Sequence, residues 1–185
     1  LQDVAIAVEA FTTDDIAVQQ IFDMSDIAES VPGLGTAKSV GSGSAYTIRG
    51  IGSFGVGAAN TSSVVTASNG HSVNDSVFAD IGMYDLERIE VLRGPQGTLF
   101  GRNATSGVVN LVTAKPDLGS FGAAGEFKYG NYNSIKAEGM VNVPIGDSIG
   151  VRVAGFFLNR DGYTTNLFDN SDVDDRDMYA VRGSL

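Results

Sequence analysis

Alternation of apolar and polar side chains is the strongest signal in the chain, and it falls in the last third. Phe121, Ala123, Gly125, Phe127 and Tyr129 alternate with Gly122, Ala124, Glu126 and Lys128. Ile135, Ala137, Gly139, Val141 and Val143 alternate with Lys136, Glu138, Met140 and Asn142; Ile149, Val151, Val153, Gly155 and Phe157 do so with Arg152, Ala154 and Phe156. A fourth run sets Tyr179, Val181 and Leu185 against Met178, Ala180, Arg182 and Ser184. Period two is the side-chain repeat of a strand. Runs of about nine to eleven residues are what a tilted strand needs to cross a bilayer. One apolar and one charged face suits a barrel wall between lipid and a wet lumen. A soluble sandwich alternates too, so the period alone leaves both open.

The residues before Pro116 follow a different grammar. Asp3 to Phe11 reads as a strand, with Val4, Ile6 and Val8 on one face. Thr12 or Thr13 can cap a helix whose first turn holds Asp14 and Asp15, which suits the positive end of its dipole. Asp23 or Ser25 caps a second short helix through Glu29, and Pro32-Gly33 stops it. Gly35 to Ser44 reads as a small polar loop and Ala45 to Arg49 as a strand. Gly50-Ile51-Gly52-Ser53-Phe54-Gly55 fits G-x-G-x-x-G after a strand, but a nucleotide site needs a helix next. Gly57 to Ser63 is small and polar and Val64-Val65-Thr66 is β-branched, so that reading fails its context. Val64 to Ala67 is a strand, Asn69-Gly70 a two-residue hairpin turn, and His71 to Val73 the return. Phe78 to Tyr84 is a short helix or turn.

From Asp85 to Pro116 the chain reads DLERIEVLRGPQGTLFGRNATSGVVNLVTAKP. A short helical opening at Asp85-Leu86 leads into a strand, Arg88 to Leu92, with Ile89 and Val91 on one face. Gly94-Pro95 breaks it, a helical turn runs from Pro95 to about Leu99, and Val108 to Val112 is a second strand. Charges on a strand that wants burial should be paired. The run closely resembles the signature of the plug domain of TonB-dependent outer-membrane receptors, with Leu-Arg-Gly-Pro, Gly-Arg-Asn-Ala and Val-Asn-Leu-Val in the family's order and spacing. Leu-Gln-Asp-Val at the start and Val31-Pro32-Gly33-Leu34 are also similar to plug sequences. Asn69 is a mild departure, since the family usually carries aspartate there.

The resemblance implies an α+β plug domain, a small mixed sheet with short helices, over residues 1–117. Antiparallel strands of a truncated transmembrane β-barrel then occupy residues 118–185. It implies the outer membrane of a Gram-negative bacterium and uptake of a scarce nutrient such as a ferric siderophore, cobalamin or a saccharide. The implied partners are the TonB energy-coupling complex, that small molecule and outer-membrane lipid. By the same resemblance Arg49 and Arg93, both in Arg-Gly pairs, meet glutamates on the barrel's inner wall; the alternative is that they pair within the plug to Glu87, Glu90 or an aspartate. Outward plug loops are the candidates for substrate contact: Gly52, Ser53 and Phe54 in one, His71 in the other.

Composition narrows the chemistry. The net charge of −10 argues against a nucleic-acid surface, which needs clustered Lys and Arg. With one histidine and no cysteine, the usual nucleophile sets and thiolate metal sites have no parts, so no enzyme activity, cofactor or metal site is expected. The acidic stretch Asp169 to Asp177 fails EF-hand spacing. Glycine occurs 24 times, roughly double average usage, which favours strands with tight turns. No basic segment with an apolar core opens the chain; by the resemblance, the family's signal sequence and TonB box are expected upstream of Leu1. Gly130 to Asn133 and Ile145 to Ser148 are short connections and Arg160 to Asp177 a long one. Long loops belong outside and short turns in the periplasm. The rival class is a soluble or secreted β-rich ligand-binding module.

Overall fold

Two units, Leu1–Ala114 and Lys115–Leu185, divide the chain; the computed structural model describes residues 7–39, 43–52, 63–73 and 82–185. In the first unit a mixed five-stranded sheet has the order β1 (Ala7–Thr12), β7 (Leu86–Arg93), β8 (Gly107–Thr113), β5 (Val64–Ser68), β6 (His71–Val73). β5 runs parallel to β8 and the other neighbours are antiparallel. Val4 and Ile6, expected in the first strand, lie outside the described residues.

Helix starts follow the capping chemistry. The Thr12 hydroxyl accepts the Asp15 N–H at 3.3 Å and the Asp15 carboxylate accepts the Thr12 N–H at 2.9 Å, which opens α1 (Thr13–Val18). Asp23 does the same with Asp26 for α2 (Met24–Ser30). Met24 and Ile27 of α2, and Val31 at its end, are buried with Phe11, Ile89, Val91, Val109 and Leu111 of the sheet. Burying each such side chain contributes about 1.5–3 kcal/mol. The opposite side of the sheet holds a smaller cluster of Val65, Ala67, Val108 and Ala104.

Several local expectations are corrected. The stretch expected as a polar loop contains β2 (Leu34–Ser39), which pairs with β3 (Gly43–Ile48), Leu34 opposite Ile48. Pairing there uses the backbone, so small polar residues do not prevent it. The expected strand end at Arg49 is a turn: Arg49 and Gly50 both have positive φ, 54° and 75°, and return the chain into β4 (Ile51–Gly52). Gly52 is thus a strand residue opposite Thr47; a Cβ on it would stand 2.5 Å from the Tyr46 carbonyl oxygen, so only glycine fits. Leu86 opens β7 rather than a helix. A bulge between Leu86 and Arg88 changes the face that Leu86 presents, and it joins the core beside Ile89. The helical turn of the signature is α3 (Gly97–Phe100). Asn69-Gly70 forms the expected turn, with φ of 51° and 81°.

The second unit is an antiparallel sheet of β9 (Gly122–Gly130), β10 (Ser134–Ile145), β11 (Ile149–Arg160) and β14 (Arg176–Ser184), each bonded to the next. Between β11 and β14 a long loop carries the small hairpin β12 (Thr164–Thr165) and β13 (Asp172–Val173). Among the described residues no helix is long and apolar enough to cross a membrane. The four long strands reach the length needed to cross one as a tilted sheet.

Candidate functional site

The register of the second unit sorts its charged side chains with one exception, Asp177, which stands opposite Asn159 at the loop end. Lys136 stands opposite Lys128, Glu138 opposite Glu126, Asn142 opposite Arg152, Ala154 opposite Arg182 and Arg160 opposite Arg176, so even-numbered residues share one face across all four strands. Every lysine and arginine of these strands lies on that face. The odd-numbered face is apolar and open: Val141 is 44% exposed, Val153 46% and Phe127 67%. A soluble core inverts this arrangement, whereas a wall with lipid on one side and a polar lumen on the other requires it. On the polar face Lys128 pairs with Glu126 at 3.0 Å and Lys136 with Glu138 at 2.5 Å.

Asn142, 2% exposed, was not picked out from the sequence as a site residue. Its Oδ1 accepts the Asp117 N–H at 2.9 Å, and its Nδ2 donates to the Asp117 and Ser120 carbonyls at 2.9 and 2.8 Å. These three bonds fasten the segment leading into β9 to the wall. The Asp117 carboxylate accepts the Gly119 N–H and the Ser120 hydroxyl, which holds its pKa below the usual value. An asparagine on the polar face of a strand was the available signal, but its partners depend on how residues 117–120 fold back.

In the first unit the structure separates the site residues predicted from the sequence. Arg93 pairs with Glu9 across β1 and β7, not with Glu87 or Glu90. Those two carboxylates instead flank Arg88, which donates from Nε to Glu90 at 2.7 Å and from a terminal nitrogen to Glu87. The Arg88 pKa is raised, chiefly by the bond to Glu90, against the opposing effect of burial. Glu90 also accepts from Asn110 at 2.9 Å, and Asn110, buried in β8, accepts the Gly70 N–H at 3.0 Å. One polar chain thus joins β7, β8 and the Asn69-Gly70 turn. Arg49 stands apart: its side chain is exposed at the tip of the β3–β4 turn, and among the described residues no carboxylate lies within ion-pair distance. His71 is exposed at the start of β6 opposite Ser68, Gly52 is in β4, and Ser53 and Phe54 lie outside the described residues. Among the described residues no group of His, Cys, Asp and Glu stands where it could hold a metal ion.

These features agree with comparisons to known proteins. Residues 1–108 match the family model described as TonB-dependent Receptor Plug Domain. The fold resembles the ferric yersiniabactin uptake receptor FyuA from Yersinia pestis, with a TM-score of 0.72 and 23% identity over 96% of this chain and 28% of that one. It also resembles the ferric-catecholate import receptor Fiu from E. coli K12 in its open form, TM-score 0.69 and 24% identity over 89% of this chain and 23% of that one. The alcaligin outer-membrane receptor FauA from Bordetella pertussis gives a TM-score of 0.61 and 19% identity, covering 85% of this chain and 27% of its own. The chain therefore spans under a third of the length of these receptors. Receptors of this family reside in the outer membrane of Gram-negative bacteria and are not enzymes. A match over more than half of its residues shows that the chain belongs to the TonB-dependent receptor plug-domain family, its plug sheet followed by antiparallel strands like those of the N-terminal part of such receptors.

Proposed function

We propose that the complete protein binds a scarce small nutrient, a ferric siderophore foremost, and imports it with energy delivered through TonB. Residues 1–117 serve as the plug and residues 118–185 open the barrel wall. The observation that carries this reading is the wall's polarity. An apolar face left open on four strands would aggregate in water but is satisfied by lipid, which supports the membrane reading over the soluble binding module. That the similar solved structures are named for ferric yersiniabactin, ferric catecholates and alcaligin supports the iron-complex reading. No chemistry on the substrate is involved. Import is a gated change in a plug held by breakable polar contacts.

Arg49 and Arg93 lock plug to barrel in this reading, Arg49 the more directly. A non-glycine residue held at φ 54° costs about 1–3 kcal/mol, and here that strain projects an arginine lacking any carboxylate partner among the described residues. Arg93, paired with Glu9, takes a wall carboxylate as a second partner, and Glu87 and Glu90 hold Arg88 in the same strand. Gly52, Ser53, Phe54 and His71 face the substrate. Uptake of radiolabelled ferric siderophores by cells with and without the receptor, each with and without TonB, tests the import reading. Uptake that persists without the receptor, or is indifferent to TonB, sinks it. Arg49→Gln should loosen plug retention in the full-length receptor, and unchanged retention and transport would remove the lock.

A further inference from the structure

We propose that Arg160 and Arg176 form an anion-binding pair at the end of the wall that carries the long loop, selecting the anionic part of the imported solute. The proposal rests on the import reading for the identity of the solute, and on its own geometry for the charge. The two residues face each other directly in the β11–β14 register, on the polar face. Like charges opposite one another in a sheet repel, so such a pair calls for a counter-charge. Three of the five aspartates in the loop between them are engaged elsewhere: Asp161 accepts from Asn133 at 2.6 Å, Asp169 from Ser171 at 2.7 Å and Asp172 from Thr165 at 3.4 Å. Among the described residues neither arginine has a carboxylate within ion-pair distance. Lys128 and Lys136, on the same face, are by contrast each neutralised by a glutamate.

Arg160 is held ready rather than loose. A terminal nitrogen donates to the Asp174 carbonyl at 2.7 Å and the guanidinium lies 4.8 Å from the centre of the Tyr163 ring. Tyr163 in turn lies 5.7 Å from Tyr132, centre to centre. The Nε–H of Arg160 is nevertheless buried and without a hydrogen-bond partner. A buried donor left unmet on a positive group costs free energy that an arriving anion returns. A guanidinium fork beside an aromatic ring, with a second arginine opposite it in the register, suits a carboxylate, catecholate or phosphate. Because the pair is on the face opposite the apolar one, the ligand is a solute reaching the polar side and not a lipid headgroup.

The test uses the full-length receptor in detergent, wild type and the R160Q/R176Q double variant, titrated calorimetrically with three probes. These are pyrophosphate (an iron-free anion), ferric tris(2,3-dihydroxybenzoate) (an anionic iron complex) and ferric tris(acetohydroxamate) (an uncharged one). The expected result is salt-sensitive binding of both anions, weakened about tenfold per arginine removed, with any binding of the uncharged complex unchanged. Wild type that binds neither anion, or binds them as the double variant does, overturns the proposal. So does a loss of thermal stability in the variant without a loss of anion binding, which would assign the pair to carboxylates elsewhere in the receptor. Anion binding that depends on both arginines in a receptor that imports no iron complex would refute the iron reading and leave the site standing.

Discussion

Asn142 gives the sharpest quantitative test of how the wall is joined to what precedes it. Asn142→Ala removes three hydrogen bonds of 2.8–2.9 Å and leaves one backbone N–H and two carbonyls without their partner. With the residue only 2% exposed, water cannot reach the vacated positions without displacing neighbours. Each bond contributes about 0.5–1.5 kcal/mol net, and unmet groups add to the loss, so the segment should lose about 2–4 kcal/mol. A local loss of that size speeds amide exchange by roughly thirty- to several-hundred-fold. Hydrogen exchange on the full-length receptor, followed over the segment containing Asp117 and Ser120, reads it directly. The Asp117 amide should lose protection while the amides of β10 and β11, whose ladder is untouched, keep theirs. Asn142→Asp should be no milder, because a carboxylate accepts from the Asp117 N–H but faces two carbonyl oxygens. An Asp117 amide as protected in the alanine variant as in the wild type would refute the reasoning.

Three further outcomes follow from the plug. A double-mutant cycle on Arg93→Met and Glu9→Gln should give a coupling of about 1 kcal/mol, the scale of a partly exposed pair; zero coupling would mean that the contact adds nothing to folding. Gly70→Ala should destabilise by about 1–2 kcal/mol although nothing lies near the new methyl group, because the cost is the φ of 81°, and a denaturant titration that shows no change would contradict the turn assignment. The Asp15 pKa is lowered by the Thr12 hydroxyl and then by the Thr12 N–H. A depressed folded-state value means stabilisation present above the ordinary carboxylate pKa of 3.8 and lost as pH falls through the folded value. Asp15→Asn should therefore melt below wild type at neutral pH and converge with it in acid; a deficit independent of pH would rule out the carboxylate as its source.

How much was legible depended on whether a signal was local. The four long strands show in the sequence because lipid and a polar lumen impose opposite demands at every second residue. Asn69-Gly70 shows because two successive positive φ angles select those residues. Arg49-Gly50 makes the same kind of turn, but arginine is a rare choice there, and the segment reads as strand. β2 escaped because Gly35, Thr36, Ala37, Lys38 and Ser39 have turn-like composition and are held by backbone pairing. The candidate site was legible only in part. Charge on Glu87, Arg88 and Glu90 demanded partners, and all three find each other within the same strand. Glu9 as the partner of Arg93 could not be seen, since it depends on the β1–β7 register between residues 84 positions apart. The Arg160–Arg176 pair likewise appears only once β11 and β14 are aligned across the long loop.

Which face of the second unit meets lipid decides whether these strands form a membrane wall. Single spin labels placed in turn at residues 139 to 144 of the full-length receptor, reconstituted in liposomes, measure that by collision with oxygen and with a water-soluble nickel chelate. The expected result is a period of two, with residues 139, 141 and 143 open to oxygen and residues 140, 142 and 144 shielded from it. The opposite phase, or no alternation along the strand, would contradict the assignment of these strands to a membrane wall.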